Sequence, residues 1–242
     1  TLLGIDSPTG FTARAADWVE NAFAALGFAA QRTTKGGVLV DLNRARCMQS
    51  FHEIGFPVED YLGTFKQSGI FSLLERGEIS IHDFCSEIRR LASRPEVTDE
   101  RIVKAWESFL EDVPTERLEL LLKIRRHYPV SVLSNTNEIH WNQAENQFFS
   151  KGGHTVKDFF DFFFLSCRIG AEKPQPEIFE AVTRCTNLPA SDILFFDDSE
   201  VNCEASRRFG KKSLLAPANS GWLHYFDADG RLTPEALAAA NK

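Results

Sequence analysis

A single methionine, three tyrosines and no apolar run long enough to span a bilayer are what this sequence of 242 residues most evidently goes without. Its longest apolar stretches, near 159–165 and 193–196, are far shorter than a membrane-crossing helix needs, so no membrane partner is expected. The amino end shows no basic region leading into an apolar core, so no secretory leader is expected there. Basic charge is not in excess: 27 Lys and Arg stand against 34 Asp and Glu, a formal net charge of -7, which argues against nucleic acid as a partner. The five cysteines (Cys47, Cys85, Cys167, Cys185, Cys203) contain no close pair. That excludes a zinc knuckle or a disulfide framework and points to reduced, mostly buried thiols in a cytoplasmic protein. Histidines 52, 82, 127, 140, 154 and 224 show no metal-ligand spacing, and surface or helix-end places are expected for each.

What is present is a core-rich chain with 21 phenylalanines, long enough for one large domain or a core with an insertion. Residues 1–42 read as a turn, a helix from Thr12 closed by Gly27, and two short apolar runs broken at Lys35-Gly-Gly37. From 43 to 112 the pattern is helical with essentially no strand. Cys47, Phe51 and Ile54 share one face, and Phe65, Ile70, Phe71 and Leu74 form others. Ser80 caps a helix carrying Phe84, Ile88 and Leu91, and Thr98 caps another with Ile102, Ala105, Trp106 and Phe109. From 113 to 242 strands alternate with helices: 130–133, a strand within 159–165, 193–196 and 212–215, the helix from Pro114 and those around Ile139 and Ile178 between them. That alternation predicts an α/β fold with a doubly wound parallel sheet and right-handed crossovers, beside an all-helical cap.

The most telling stretch runs from Ile193 to Gly210, where four apolar residues meet Asp197 and Asp198. An acidic pair at the carboxyl end of a buried strand is a candidate Mg²⁺ site of hard oxygen ligands, or else the N-cap of the helix that carries Val201, Ala205 and Phe209 inward. Two other strand ends bear polar residues, Ser134 with Asn135 and, past the Phe-rich strand, Lys173. Alone, Ser134 reads equally as a turn residue and Lys173 as a solvated loop lysine. Together they supply what phosphoryl transfer asks for: groups to orient phosphoryl oxygens, a cation, and carboxylates for Mg²⁺.

At 132–137, 170–179 and 195–199 the sequence resembles the second, third and fourth motifs of the haloacid dehalogenase superfamily, and within it the sugar-phosphate phosphatases with a helical cap. The resemblance implies a Mg²⁺-dependent hydrolase of a small phosphorylated metabolite. It gives Ser134 and Asn135 the phosphoryl group, Lys173 its charge, and Asp197 with Asp198 the metal. It also implies an aspartate nucleophile in a first motif, and there the sequence departs: the string 36–43 is present, but the nucleophile position is Thr34. Threonine has a poorly acidic hydroxyl and no visible base, so turnover is expected to be impaired, and a non-catalytic phosphate- or partner-binding module on the same fold is the alternative. Asp6 is a poor substitute beside Pro8, and Asp41 lies past the loop, toward the cap, where a structural place is expected. Residues 1–42 resemble instead the start of a tetrahedral-aminopeptidase-type metallopeptidase, whose metal ligands lie beyond this stretch. The chain therefore reads as a chimera joined across 36–42.

Overall fold

The computed structural model describes residues 38–63, 67–216 and 221–240. Thr34, Asp6, Phe65 and the proposed strand before Thr34 lie outside the described residues.

Residues 38–43 enter the fold through a bend and one antiparallel bridge, Leu42 opposite Leu110. Trp222 donates its indole N–H to the Val38 carbonyl at 2.8 Å, and Arg117 donates to the Leu39 carbonyl at 2.7 Å. The same guanidinium lies 2.8 Å from the Asp41 carboxylate, both side chains almost fully buried. Asp41 is therefore a structural residue, as its place past the loop predicts. Its backbone exchanges hydrogen bonds with residues 111 and 112 (2.7 and 2.8 Å), and Asn43 N–H donates to the Phe109 carbonyl at 2.7 Å. The chain leaves at 41–43 and returns alongside itself at 109–112.

Between those points the described elements are four helices: α1 (Arg44–Glu53), α2 (Gly69–Glu75), α3 (Ile81–Ala92) and α4 (Asp99–Glu107). Their starts obey the caps in the sequence. Ser80 forms a reciprocal capping box with Asp83, and Thr98 accepts from Arg101 N–H. Their apolar faces meet around Phe51, Phe71, Phe84 and Trp106, each fully shielded from solvent. Phe71 lies edge-on to Trp106, with 4.8 Å between ring centroids.

After α5 (Thr115–Ile124), strand β1 (Ser131–Ser134) is followed by α6 (Glu138–Gln143), the short α7 (Val156–Phe159) and β2 (Phe162–Leu165). Then come α8 (Ser166–Ile169), α9 (Pro176–Thr186), β3 (Leu194–Asp197), α10 (Glu200–Arg208), β4 (Lys212–Leu215) and α11 (Pro234–Ala240). Among the described residues the strands form two parallel pairs. Ser134 is opposite Leu165 in β1–β2, and Asp197 is opposite Leu215 in β3–β4. Parallel strands linked through helices are the α/β arrangement the alternation predicts. Phe179 and Phe195 pack edge-on at 5.7 Å under β3.

Two residues refine the expectations. Val201 is half exposed, while Asn202, Cys203, Ala205 and Ser206 face inward on α10. Ala205 is buried and Phe209 stacks on Phe179 with ring centroids 5.8 Å apart, as the spacing predicts, so the departure is confined to the first turn, where Asn202 is held by Asp197 as described below. His140 is not a surface residue: it is 5% exposed, tilted against Trp106 with ring centroids 4.3 Å apart. Its Nε2 donates to the Trp106 carbonyl at 2.9 Å, and its Nδ1 faces the Asn137 amide at 3.3 Å, so a neutral ring satisfies both contacts. The thiols answer to expectation, with all five free and Cys47, Cys85 and Cys203 buried. No helix among the described residues is long and apolar enough to cross a membrane.

Burial pushes the His140 imidazole down from 6.5 to about 4. As pH falls the unfolded chain takes up this proton first. Stability that is full above about 6.5 is therefore lost as pH drops toward about 4, by on the order of 3 kcal/mol from this residue. Urea unfolding of the wild type and His140→Gln at pH 7.5, 6.0 and 4.5 measures it: the variant should start less stable and lose less on acidification. Parallel losses in the two proteins would place the pH dependence elsewhere.

Candidate functional site

The end of β1, the loop after α8 and the end of β3 meet at one lysine. Asn135, just past β1, and Lys173 bind each other twice: the Asn135 amide donates to the Lys173 carbonyl at 3.0 Å, and Lys173 N–H donates to Asn135 Oδ1 at 2.7 Å. That reciprocal pair fixes the backbone at Lys173, just before the N-terminus of α9, where Gln175 accepts from Glu172 N–H at 2.8 Å. The lysine side chain then runs across the Phe195 ring, 5.6 Å from its centroid, and donates to the Leu133 carbonyl at 3.1 Å. Its second acceptor is Asp197 Oδ2 at 2.6 Å. With 11% and 3% of their side chains exposed, Lys173 and Asp197 form a nearly buried ion pair that joins β1 to β3.

Asp197 ends β3 because the strand's apolar residues give way there to a turn that needs an acceptor. Its Oδ1 takes Ser199 N–H at 2.9 Å and the Asn202 amide at 2.8 Å. The N-cap of α10 is Ser199, which makes no side-chain capping bond. The capping alternative for the acidic pair is thus met only in part: Asp197 serves the turn before the helix through Oδ1 and the lysine through Oδ2. Asp198 is half-buried beside it.

Ser134 is half-buried, and its hydroxyl makes a long contact of 3.4 Å with the next carbonyl, so it retains capacity for another acceptor. The structure therefore brings together Ser134, Asn135, Lys173 and Asp197, with Asp198 adjacent. Thr34 lies outside the described residues.

The sequence reading missed a second layer. Glu172, with no exposure, receives Ser72 Oγ and Arg76 Nη1 at 3.5 Å each, so the residue before the lysine is tied to α2 and its C-cap. Ser166 accepts from Thr136 N–H at 2.9 Å and donates to the Glu75 carbonyl at 2.6 Å. Gly77, at φ +67°, lies so near Cys167 that a Cβ would come within 2.1 Å of its carbonyl oxygen. No apolar periodicity signals these links. Asn202 alone left a trace, as an amide on the helix face that turns toward the acidic pair.

A Mg²⁺ ion binds one or two carboxylates and completes its shell with water and phosphate oxygens. The adjacent carboxylates of Asp197 and Asp198 fit it in kind, although Asp197 Oδ2 already carries an ammonium. No group of three or more His, Cys, Asp or Glu gathers among the described residues, so any cation rests mainly on this pair.

Removing the Asn202 amide leaves a buried carboxylate oxygen short of one donor. Asn202→Ala should cost about 1.5–3 kcal/mol in urea unfolding, and Asn202→Asp more, because it sets a like charge against Asp197. An Asn202→Ala variant as stable as the wild type would show that the bond contributes nothing.

Residues 35–210 match the family model described as haloacid dehalogenase-like hydrolase. A D-ribitol-5-phosphate phosphatase of Bacteroides thetaiotaomicron is 33% identical over 188 residues, which cover 77% of this chain and 91% of that protein. The solved structure of an aspartate-to-alanine variant of a HAD family enzyme from Bacteroides thetaiotaomicron, in complex with magnesium and inorganic phosphate, is 40% identical. It aligns with a TM-score of 0.75 over 78% of this chain and 94% of that one. A protein described as a predicted HAD-like family hydrolase from Porphyromonas gingivalis is 30% identical, with a TM-score of 0.72 over 78% of this chain and 91% of that one.

Proposed function

We propose a phosphatase-type site with an impaired nucleophile for this chain, which belongs to the haloacid dehalogenase-like hydrolases and has their α/β fold. In this reading the substrate is a small phosphorylated metabolite. A pentitol or sugar phosphate is the first choice, because one relative is a D-ribitol-5-phosphate phosphatase. Residues 43–112 form a helical cap and 113–242 the core. In sequence, residues 1–42 take the place of a first motif and its aspartate.

One observation carries the reading: the ammonium of Lys173 spans from the end of β1 to Asp197 at the end of β3, at 3.1 and 2.6 Å. That places a cation between the residues that would hold the phosphoryl oxygens and those that would hold the metal. Ser134 and Asn135 orient the phosphoryl group, and Lys173 offsets its charge. Asp197, assisted by Asp198, holds Mg²⁺, which would supply further charge stabilisation when bound. Magnesium accompanies phosphate in a solved relative, which supports this choice of cofactor. The attack itself has no carboxylate, since Thr34 occupies the position, and a threonine hydroxyl without a base is a poor nucleophile. The family match begins at residue 35, directly after that threonine, which supports a junction there.

Phosphate release from ribitol 5-phosphate and a panel of sugar phosphates, with Mg²⁺, should stay near background. Robust release that disappears in Thr34→Val or Asp6→Ala would overturn the impaired nucleophile. Calorimetry with Mg²⁺ and inorganic phosphate should still give binding that is lost in Asp197→Ala; absence of binding in the wild type would sink the phosphate-site reading. Binding without turnover is also what a non-catalytic phosphate-binding module would give.

A further inference from the structure

We propose that Lys173 and a divalent cation compete for the same oxygen of Asp197, so that cation binding releases the lysine toward an incoming anion. The inference rests on the phosphate-site reading above and adds a gate to it.

The argument starts from how completely the carboxylate is used. Oδ1 is held by two neutral donors, Ser199 N–H at 2.9 Å and the Asn202 amide at 2.8 Å. These fix the carboxylate plane and keep it from rotating to offer the cation a different oxygen. Oδ2 is the oxygen left for a cation, and Lys173 Nζ sits on it at 2.6 Å. A Mg²⁺ ion would have to approach the same atom to about 2.1 Å. Two cations on one oxygen stand within roughly 4 Å of each other, and their repulsion is poorly screened where the lysine and aspartate side chains are 11% and 3% exposed. Beyond Asp198 beside it, no cluster of three or more His, Cys, Asp or Glu among the described residues offers the metal another hold.

The lysine has somewhere to go. Its ammonium carries three protons, and the one on the Leu133 carbonyl at 3.1 Å serves as a pivot that survives loss of the Asp197 contact. Its backbone is anchored by the two Asn135 bonds, so only the side chain swings. When the cation arrives, the Nζ–H···Oδ2 hydrogen bond is replaced by a metal–oxygen contact. The amine keeps all its protons, and the proton released from Oδ2 becomes a donor for a phosphoryl oxygen. Without the cation, the same proton is spent inside the protein. Cation and phosphate binding are therefore coupled through the lysine, beyond the direct attraction between the two ligands.

Titrating MgCl₂ into the wild type and Lys173→Met by calorimetry tests the competition: the variant should bind Mg²⁺ at least tenfold more tightly. Because the variant leaves a buried carboxylate without its cation and could fold poorly, a second measurement uses the unaltered protein. The ¹⁵N-labelled lysine ammonium signal of Lys173 should be visible without Mg²⁺, as expected for a hydrogen-bonded amine, and should move or broaden at saturating Mg²⁺. Inorganic phosphate should bind the wild type at least tenfold more tightly with Mg²⁺ than without, and this gain should shrink in Lys173→Met. Equal or weaker Mg²⁺ affinity in the variant, or a lysine signal unmoved at saturation, overturns the competition and leaves the cation site standing. Absence of any Mg²⁺ binding that Asp197→Asn abolishes removes the site, and the gate with it.

Discussion

The nearly buried ion pair between Lys173 and Asp197 is the contact on which the site depends. Its two members, one in the loop after α8 and one at the end of β3, lie 24 residues apart in sequence, and neither has another full-charge partner in the contacts described for it. Burying two charges is costly, and the attraction between them offsets that cost only when the remaining donors and acceptors are satisfied. Here they are. Asp197 has Ser199 and Asn202 on its other oxygen, and Lys173 has the Leu133 carbonyl and the Phe195 ring. Such a pair adds little to stability over an apolar substitute, but losing one member leaves an uncompensated charge and costs several kcal/mol. Its value to the protein is therefore geometric: it sets the ends of β1 and β3 relative to each other.

The strand ends were the most legible part of the chain. Apolar β-formers running into Ser134 and Asp197 mark the two places where a parallel strand hands over to a loop, and the loops carry the polar groups because only there can they reach a ligand. The helix starts at Ser80 and Thr98 were equally plain, since the capping hydroxyl and its acceptor are neighbours in sequence. Contacts between distant residues left no such trace. The Arg117–Asp41 pair and the tie from Glu172 to Arg76 join residues 76 to 96 positions apart, and charge alone does not announce which arginine a buried acid will meet. His140 takes the helix-end place of the two expected, but its burial left no trace, because an isolated histidine looks like a surface residue. Its burial follows from Asn137, which caps α6 and also faces the ring.

Val201 shows how a polar contact can override an apolar pattern. The four-residue spacing of Val201, Ala205 and Phe209 is a sound helical signal, and Ala205 and Phe209 do pack inward, but in the first turn the inward place goes to Asn202, whose amide donates to Asp197, and Val201 meets solvent. Exposing one valine forfeits about 1–2 kcal/mol of burial. A hydrogen bond to a buried carboxylate, together with avoiding an unsatisfied oxygen, outweighs it. Local pattern and site chemistry disagree at this one point, which is where such disagreements are expected.

The side-by-side exit and return at 41–43 and 109–112 has a consequence for ancestry. A segment whose two ends meet at one doorway can be lengthened or shortened at little entropic cost, except where its own residues are tied to the far side, as α2 is through Glu172 and Ser166. The faces of the helices from 44 to 107 that lie away from those ties can thus vary without disturbing the strands. That freedom follows from three backbone hydrogen bonds.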